Sequence, residues 1–428
     1  MKRIKRAKVV ALILSLVLGL ALIGCTKKTA VVKIGVILPL TGSSARLGEL
    51  QLGGVKYAVD YVNNKLGGIK SLNGAKIVLV IADSTGNAEL GMSEAERLIN
   101  SENIDGLIGT YNSSVCAAVV PVCEKYGVPM AICNSTSDSI LEADLRYCAR
   151  TNQSDTGNAL CYASFIKAIN ALGVADEVKK FAIIHESTDW GVSVNQKYGN
   201  AIKDAGYEVV LSESFETGVA DFSAIVNKIK NADVDAILPA MYVSDANLFV
   251  QQLAEYDVNV PLIAAGGGML VDEFIDTLGD YAEFILTING WSLDTLASKP
   301  EKMQGYIKEY TELCQKEYGS LPNENVANGW LAAMVLFEAI DRAGTTDKDS
   351  VAAELLATDL PADDIALLFH PYPGVKFGQL LNMKNQNIYA SPCITQVIDG
   401  NMRQVFDGSN LITDVLVYPQ PSFDDRGL

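Results

Sequence analysis

The chain has 428 residues, with 34 Lys and Arg against 51 Asp and Glu, a net charge of −17, and 49% hydrophobic residues. So acidic a chain is repelled by nucleic acid and by anionic lipid surfaces, and so apolar a chain can bury a large core over two or three domains. Only two histidines are present, His185 and His370, which argues against a histidine-based metal site.

The amino terminus begins with Lys2, Arg3, Lys5, Arg6 and Lys8, continues through an apolar run from Val9 to Ile23, and stops at Gly24 and Cys25. Charge, short apolar core and small residue in that order mark a secretion signal. The run is shorter than the roughly 20 residues of a comfortable membrane span. "LIGC" resembles a bacterial lipobox, in which cleavage precedes Cys25 and lipid is attached to its sulfur. Acyl chains contribute on the order of 0.8 kcal/mol per buried methylene, so a multiply acylated Cys25 would tether the domain to the outer face of a membrane. Residues 1–24 are therefore expected to be a signal peptide and 25–31 a linker. Loss of the leader makes the remaining chain more acidic still. The seven cysteines that remain, scattered and without a C-x-x-C pair, predict neither a disulfide framework nor a zinc site.

Past the linker, apolar strands alternate with amphipathic helices. "KIGVILPL" reads as a buried strand, followed at helical spacing by Val55, Ala58, Val59, Val62 and Leu66. "KIVLVIA" precedes Met92, Ala95, Leu98 and Ile99; "IDGLIG" precedes Val115, Val119, Val122 and Tyr126; "VPMAI" closes a first set. A second set runs through "FAIIH", "YEVVL", "VDAIL" and "VPLIA", with helices marked by Val194, Tyr198 and Ile202, by Phe222, Ile225 and Ile229, and by Ala246, Phe249, Val250 and Leu253. Two such sets predict an α/β protein of two doubly wound parallel-sheet lobes with right-handed crossovers. "FILTI" and the helices around Tyr306, Trp330 and Val351 are assigned to the first lobe. The expected division is 32–153 with 286–364 for the N-terminal lobe and 154–285 with 365–428 for the C-terminal lobe, giving three hinge crossings that permit closure. The tail, with turns at Asn385 and Gly400, reads as late strands.

Open α/β sheets bind ligands beyond the carboxyl ends of their strands. The loops there are "PLTGSSARLG", "TYNSS", "CNSTSDS", "ESTDWG", "AMYVSD" and "AAGGGM". Hydroxyls and amides at helix starts suit a carboxylate or another small polar group, and aromatic faces suit an apolar body. Ser113 and Ser114 stand where one is expected to cap a helix and the other to face the cleft, beside Tyr111. A nucleophilic role would need a base and a G-x-S-x-G turn, which the sequence lacks, as it lacks a G-x-x-x-x-G-K-S/T phosphate loop. No catalytic function and no cofactor are expected.

The frame "IGVILPLTGSSARLGELQLGGVKYAVDYVNNKLGGI", with "DGLIGTYNSS", "KFAIIHESTDWG", "GVADFSAIVNKIKNADVDAILPAMY" and "VANGWLAAMVLFEAIDRAG", resembles the branched-chain amino-acid binding proteins over nearly the whole mature chain. The resemblance implies an extracytoplasmic, lipid-anchored monomer that closes two lobes on a small molecule and delivers it to the permease and ATPase subunits of an ABC importer. It also implies carboxylate contacts from Ser113 and from Ser135, Thr136 and Ser137, and aromatic contacts from Trp190 and Tyr242. Relatives pair the ligand ammonium with an acid in the last loop of the second lobe, where this chain has Ala265, Gly266, Gly267 and Gly268. Asp245 or Asp189 is the expected substitute, since an unpaired buried ammonium is costly. Arg46 stands where relatives often carry an aromatic and would suit a second anionic group; otherwise it is a solvated charge. The family's disulfide positions match Thr85 and Asn112, so no bridge is expected there. A non-amino-acid carboxylate or amide ligand, or a sensory role, remains the alternative. A gene regulator of this architecture would carry a basic helix-turn-helix in place of the leader.

Overall fold

The computed structural model describes residues 31–426; the leader and Cys25 lie outside the described residues. The first sheet is built from β1 (Val31–Leu38), β2 (Lys76–Asp83), β3 (Gly106–Gly109), β4 (Met130–Ile132) and β5 (Cys148–Arg150), all parallel, in the spatial order β5-β4-β3-β1-β2. Helices α1 (Ala45–Asp60), α2 (Ala88–Asn100) and α3 (Ser113–Tyr126) connect them. β1 reads as near-continuous apolar sequence because both faces of a parallel sheet are covered.

After β5 the chain passes through residues 151–154 into α4 (Asp155–Asn170), which Ser154 caps by accepting from Gly157 N at 3.1 Å. The second sheet follows: β6 (Lys180–Glu186), α5 (Asp189–Asp204), β7 (Glu208–Phe215), α6 (Ser223–Asn231), β8 (Ala236–Met241), α7 (Val243–Glu255), β9 (Leu262–Gly267), α8 (Asp272–Leu278) and β10 (Leu286–Asn289). Its order is β10-β9-β8-β6-β7, all parallel.

Two expected divisions differ from the strand pairing. β10, which begins at the expected first-lobe residue Leu286, pairs in parallel with β9, and Leu286 and Ile288 pack in the second core with Ile394 and Phe406. The second passage between sheets therefore falls after Asn289. The short helix α9 (Leu293–Ala297) then precedes α10 (Glu301–Tyr318), α11 (Glu324–Ala343) and α12 (Lys348–Leu356). The tail also divides. β11 (Asp359–Pro361), β12 (Gly374–Leu380) and β13 (Met383–Asn387) extend the first sheet, and only β14 (Cys393–Ile398) and β15 (Asn401–Phe406) extend the second. The cause is a set of buried polar ties that alternation of apolar residues does not reveal. Arg150 Nε donates to Gln386 Oε1 at 2.6 Å, Gln386 Nε2 to Asn152 O at 2.7 Å, and Asn387 Nδ2 to Thr151 O at 2.9 Å, fixing β13 beside β5. The third passage thus lies at residues 388–392. The antiparallel ends β11-β12-β13 and β14-β15 make both sheets mixed.

The first core closes where α1 crosses α11 at backbone contact: a Cβ on Gly54 would stand 2.0 Å from Val326 O, and one on Gly329 2.1 Å from Gln51 O. Beside this crossing Trp330 is fully buried, donates from Nε1 to Ile365 O at 3.0 Å, and packs on Tyr61, Tyr310 and Phe369. This fixes α11, whose first turn enters the cleft. Cys116, Cys123, Cys133, Cys148, Cys161, Cys314 and Cys393 are all buried free thiols.

Candidate ligand-binding cleft

The carboxyl ends of β3, β4, β8 and β9 open onto a cleft between the sheets, enclosing about 530 Å³ of non-atom space including its mouth. From the first lobe, Tyr111, Ser113, Asn134 and Thr136 line it. Ser113 is the first residue of α3, so its side chain and amide lie at the positive end of a 14-residue helix. The capping expectation is corrected: Asn112 holds the N-cap position, and Ser113 Oγ instead accepts from Ser137 N at 3.3 Å. That bond ties the β3 loop to the β4 loop.

The second lobe supplies Trp190, Tyr198 and Tyr242, with Gly266 and Gly267. Trp190 and Tyr242 lie 5.3 Å apart between ring centroids, and Tyr242 stands 6.2 Å from Tyr111 across the cleft. Burial raises the Tyr111 and Tyr242 hydroxyls above the ordinary tyrosine value, so both remain neutral. Gly267 has φ +67°, and a Cβ there would lie 2.5 Å from Trp190 Cη2 and 2.9 Å from Met241 O. The glycine at this position is what lets the six-membered ring of the indole approach the end of β9 so closely.

The floor is formed by Gln153 of the first passage together with Asn158 of α4, Ile288 of β10 and Glu324 of α11, which stand beside the passages between lobes. Glu324, the first residue of α11, is 3% exposed; its Oε1 accepts from Gly290 N at 2.6 Å and from Gln153 Nε2. Gln153 Oε1 in turn accepts from Tyr372 Oη at 2.9 Å. Burial pushes the Glu324 carboxyl up, against the two hydrogen bonds that hold it down.

The expected residues divide into two groups. Tyr111, Ser113, Thr136, Trp190 and Tyr242 come together on one cavity. Ser135 does not face it: its buried hydroxyl bonds to Thr110 Oγ1 at 3.0 Å and donates toward the Thr110, Tyr111 and Asn112 carbonyls, bracing the two loops. Ser137 is buried, with its hydroxyl 3.0 Å from Ser139 Oγ. Ser114 opens on a neighbouring polar recess with Thr85, Asn112 and Thr188. Asp245 is buried away from the cleft, with Oδ1 accepting from Gly218 N at 2.9 Å, and Asp189 is exposed. Arg46 is turned to its own lobe, donating to Tyr318 O at 2.7 Å and Ser320 Oγ at 3.4 Å. Sequence reasoning missed Asn134, Gln153, Asn158, Tyr198, Leu270, Ile288 and Glu324 as lining residues. Of these, Asn134 lies inside the loop "CNSTSDS", whereas Glu324 directly follows the capping residue Asn323, whose Oδ1 accepts from Asn325 N at 3.0 Å, a position that reads as an ordinary first-turn acid.

Two α/β lobes joined by three passages, with a cleft of hydroxyls, aromatics and one buried acid between strand ends, define a protein built to enclose a small molecule. Residues 31–376 match the family model described as periplasmic binding protein, and the chain belongs to that family. It is 30% identical over 409 residues to Leu/Ile/Val-binding protein homolog 7 of Brucella suis biovar 1, covering 94% of this chain and 98% of that one. Its fold is similar to that of a leucine binding protein from Thermotoga maritima (TM-score 0.74, 24% identity, 87% and 97% of the two chains). It is also similar to that of an ABC-transporter solute binding protein from R. palustris in complex with benzoate (TM-score 0.72, 19% identity, 90% and 98%). As in the rest of the family, the chain is a periplasmic binding protein acting outside the cytoplasm.

Proposed function

We propose that the chain is the lipid-anchored receptor of an ABC importer and captures a branched-chain or related amino acid by closing its two lobes. The supporting observation is the polarity of the cleft. Ser113 and Thr136, at helix and loop starts of one lobe, offer hydroxyls and amides to a carboxylate, and Trp190 and Tyr242 of the other offer apolar faces to its side chain. No cationic side chain lines the cleft among the described residues, so the carboxylate is held by neutral donors. The names of the relatives, Leu/Ile/Val-binding and leucine binding, support the same ligand class. Anchoring rests on "LIGC" at Cys25, and the permease and ATPase partners follow from the family.

The aromatic lining favours a second reading, a planar carboxylate without an ammonium, which the benzoate complex of the R. palustris protein also supports. A thermal-shift panel separates the two. Leucine, isoleucine and valine are set beside their 2-oxo acids and benzoate, since ligand at about 100 times its Kd adds roughly 2.7 kcal/mol of stability. Shifts with amino acids support the first reading; shifts confined to oxo acids or benzoate replace it with the second.

A further inference from the structure

We infer that Glu324 is the residue that recognises the ligand's ammonium, taking the role that the glycine loop of the second lobe leaves vacant. This inference deepens the amino-acid reading and rests on it. Among the described residues lining the cleft, Glu324 alone carries a formal charge. Its two oxygens are unequally used. Oε1 takes both protein donors, Gly290 N and Gln153 Nε2, whereas Oε2 receives no hydrogen bond from any described residue. The carboxylate thus has one oxygen anchored and one available to a donor in the cavity, where an ammonium supplies both the hydrogen bond and the countercharge.

The other acids are placed elsewhere. Asp245 is tied to Gly218, Asp189 is exposed, and Asp155, though buried, does not line the cavity. Position adds a second consequence. Glu324 starts the helix locked into the first lobe by the Gly54 and Gly329 contacts, while its Oε1 holds Gln153 and Gly290 on two of the three passages between lobes. A Cβ on Gly290 would lie 3.2 Å from Glu324 Oε1 and 2.6 Å from Gln153 Oε1, so the hinge backbone is packed directly on the carboxylate. An amine bound to Oε2 is therefore bound to the hinge itself, where both lobes meet.

The experiment compares Glu324→Gln with the wild type by calorimetric titration. The probes are the tightest-binding of leucine, isoleucine and valine, and the 2-oxo acid of the same skeleton. The substitution keeps the size and one acceptor oxygen for Gly290 N and Gln153 Nε2, but removes the charge and turns the second oxygen into an amide donor that cannot accept from an ammonium. We expect amino-acid affinity to fall 10- to 100-fold while oxo-acid affinity stays within about threefold or improves, so that the ratio of the two collapses. A merely structural role would weaken both alike, and that result, or an unchanged amino-acid affinity, overturns the inference while leaving the amino-acid reading intact. If the wild type itself binds no amino acid, the reading and the inference fall together. Should the Gln variant not fold, Glu324→Asp, which keeps the charge but withdraws it, is read by the same ratio and is expected to shift it in the same direction.

Discussion

Gly267→Ala tests whether the glycine-rich loop exists to seat Trp190. At φ +67° and ψ −108° the residue occupies backbone space that side chains rarely enter, which costs on the order of 1–3 kcal/mol. The added methyl would also meet Trp190 Cη2 at 2.5 Å, Trp190 Cζ2 at 3.2 Å and Met241 O at 2.9 Å. The carbonyl belongs to β8 and is held by the sheet, so the indole must move, at a further overpacking cost of about 1–3 kcal/mol. We expect denaturant unfolding to report a loss of about 2–6 kcal/mol, and ligand affinity to fall about tenfold because the displaced indole no longer faces the cavity. Trp190→Phe removes the two indole carbons involved in the clash. In a double-mutant cycle it should therefore return about 1 kcal/mol or more of the destabilisation, leaving the backbone part in place. Strictly additive single effects, or a Gly267→Ala protein within about 0.5 kcal/mol of wild type, would refute the reasoning.

Three further outcomes are expected. Asp155 is fully buried, and burial raises its pKa from 3.8 to about 6, against the opposing pull of the Ser193 and Thr136 hydroxyls and the Arg150 charge. A raised carboxyl binds its proton more tightly in the folded state. Its contribution to stability is thus complete below about pH 4, declines as pH rises to about 6, and is flat above. At about 1.4 kcal/mol per pH unit the decline is at most about 3 kcal/mol, so Asp155→Asn should be the more stable protein at pH 7 and show a flatter profile between pH 4 and 6 in urea titrations; parallel profiles would contradict this. Ser113→Ala should weaken ligand binding by about 1–3 kcal/mol in calorimetry, and undiminished affinity would leave Ser113 only its bond to Ser137 N. Cys25→Ser should leave a folded precursor that is neither cut nor labelled by radioactive fatty acid, and persistent labelling would refute the anchoring proposal.

The order of strands and helices was legible because burial on both faces of a parallel sheet leaves apolar runs such as "KIGVIL", and helices on its surface leave a 3.6-residue stripe. The hydroxyl and aromatic loops were legible for a related reason: residues directly after β3, β4, β6 and β8 in sequence lie at strand ends, so Tyr111, Ser113, Thr136, Trp190 and Tyr242 share a cleft whenever those strands share sheets. What sequence could not assign was the membership of β10, β12 and β13. A four-residue buried strand such as Leu286–Asn289 satisfies either sheet, and its partner is chosen by side chains far away in the chain. The directions of individual polar side chains were equally hidden. Ser135 spends its hydroxyl on three carbonyls, Arg46 turns to Tyr318, and Asp245 to Gly218, each because a nearby backbone group needed a partner. Glu324 was invisible for the opposite reason. An acid in the first turn of a helix is ordinarily a solvated complement to the helix dipole, and only the crossing of α11 over α1, at glycine contact, carries this one into the floor of the cleft.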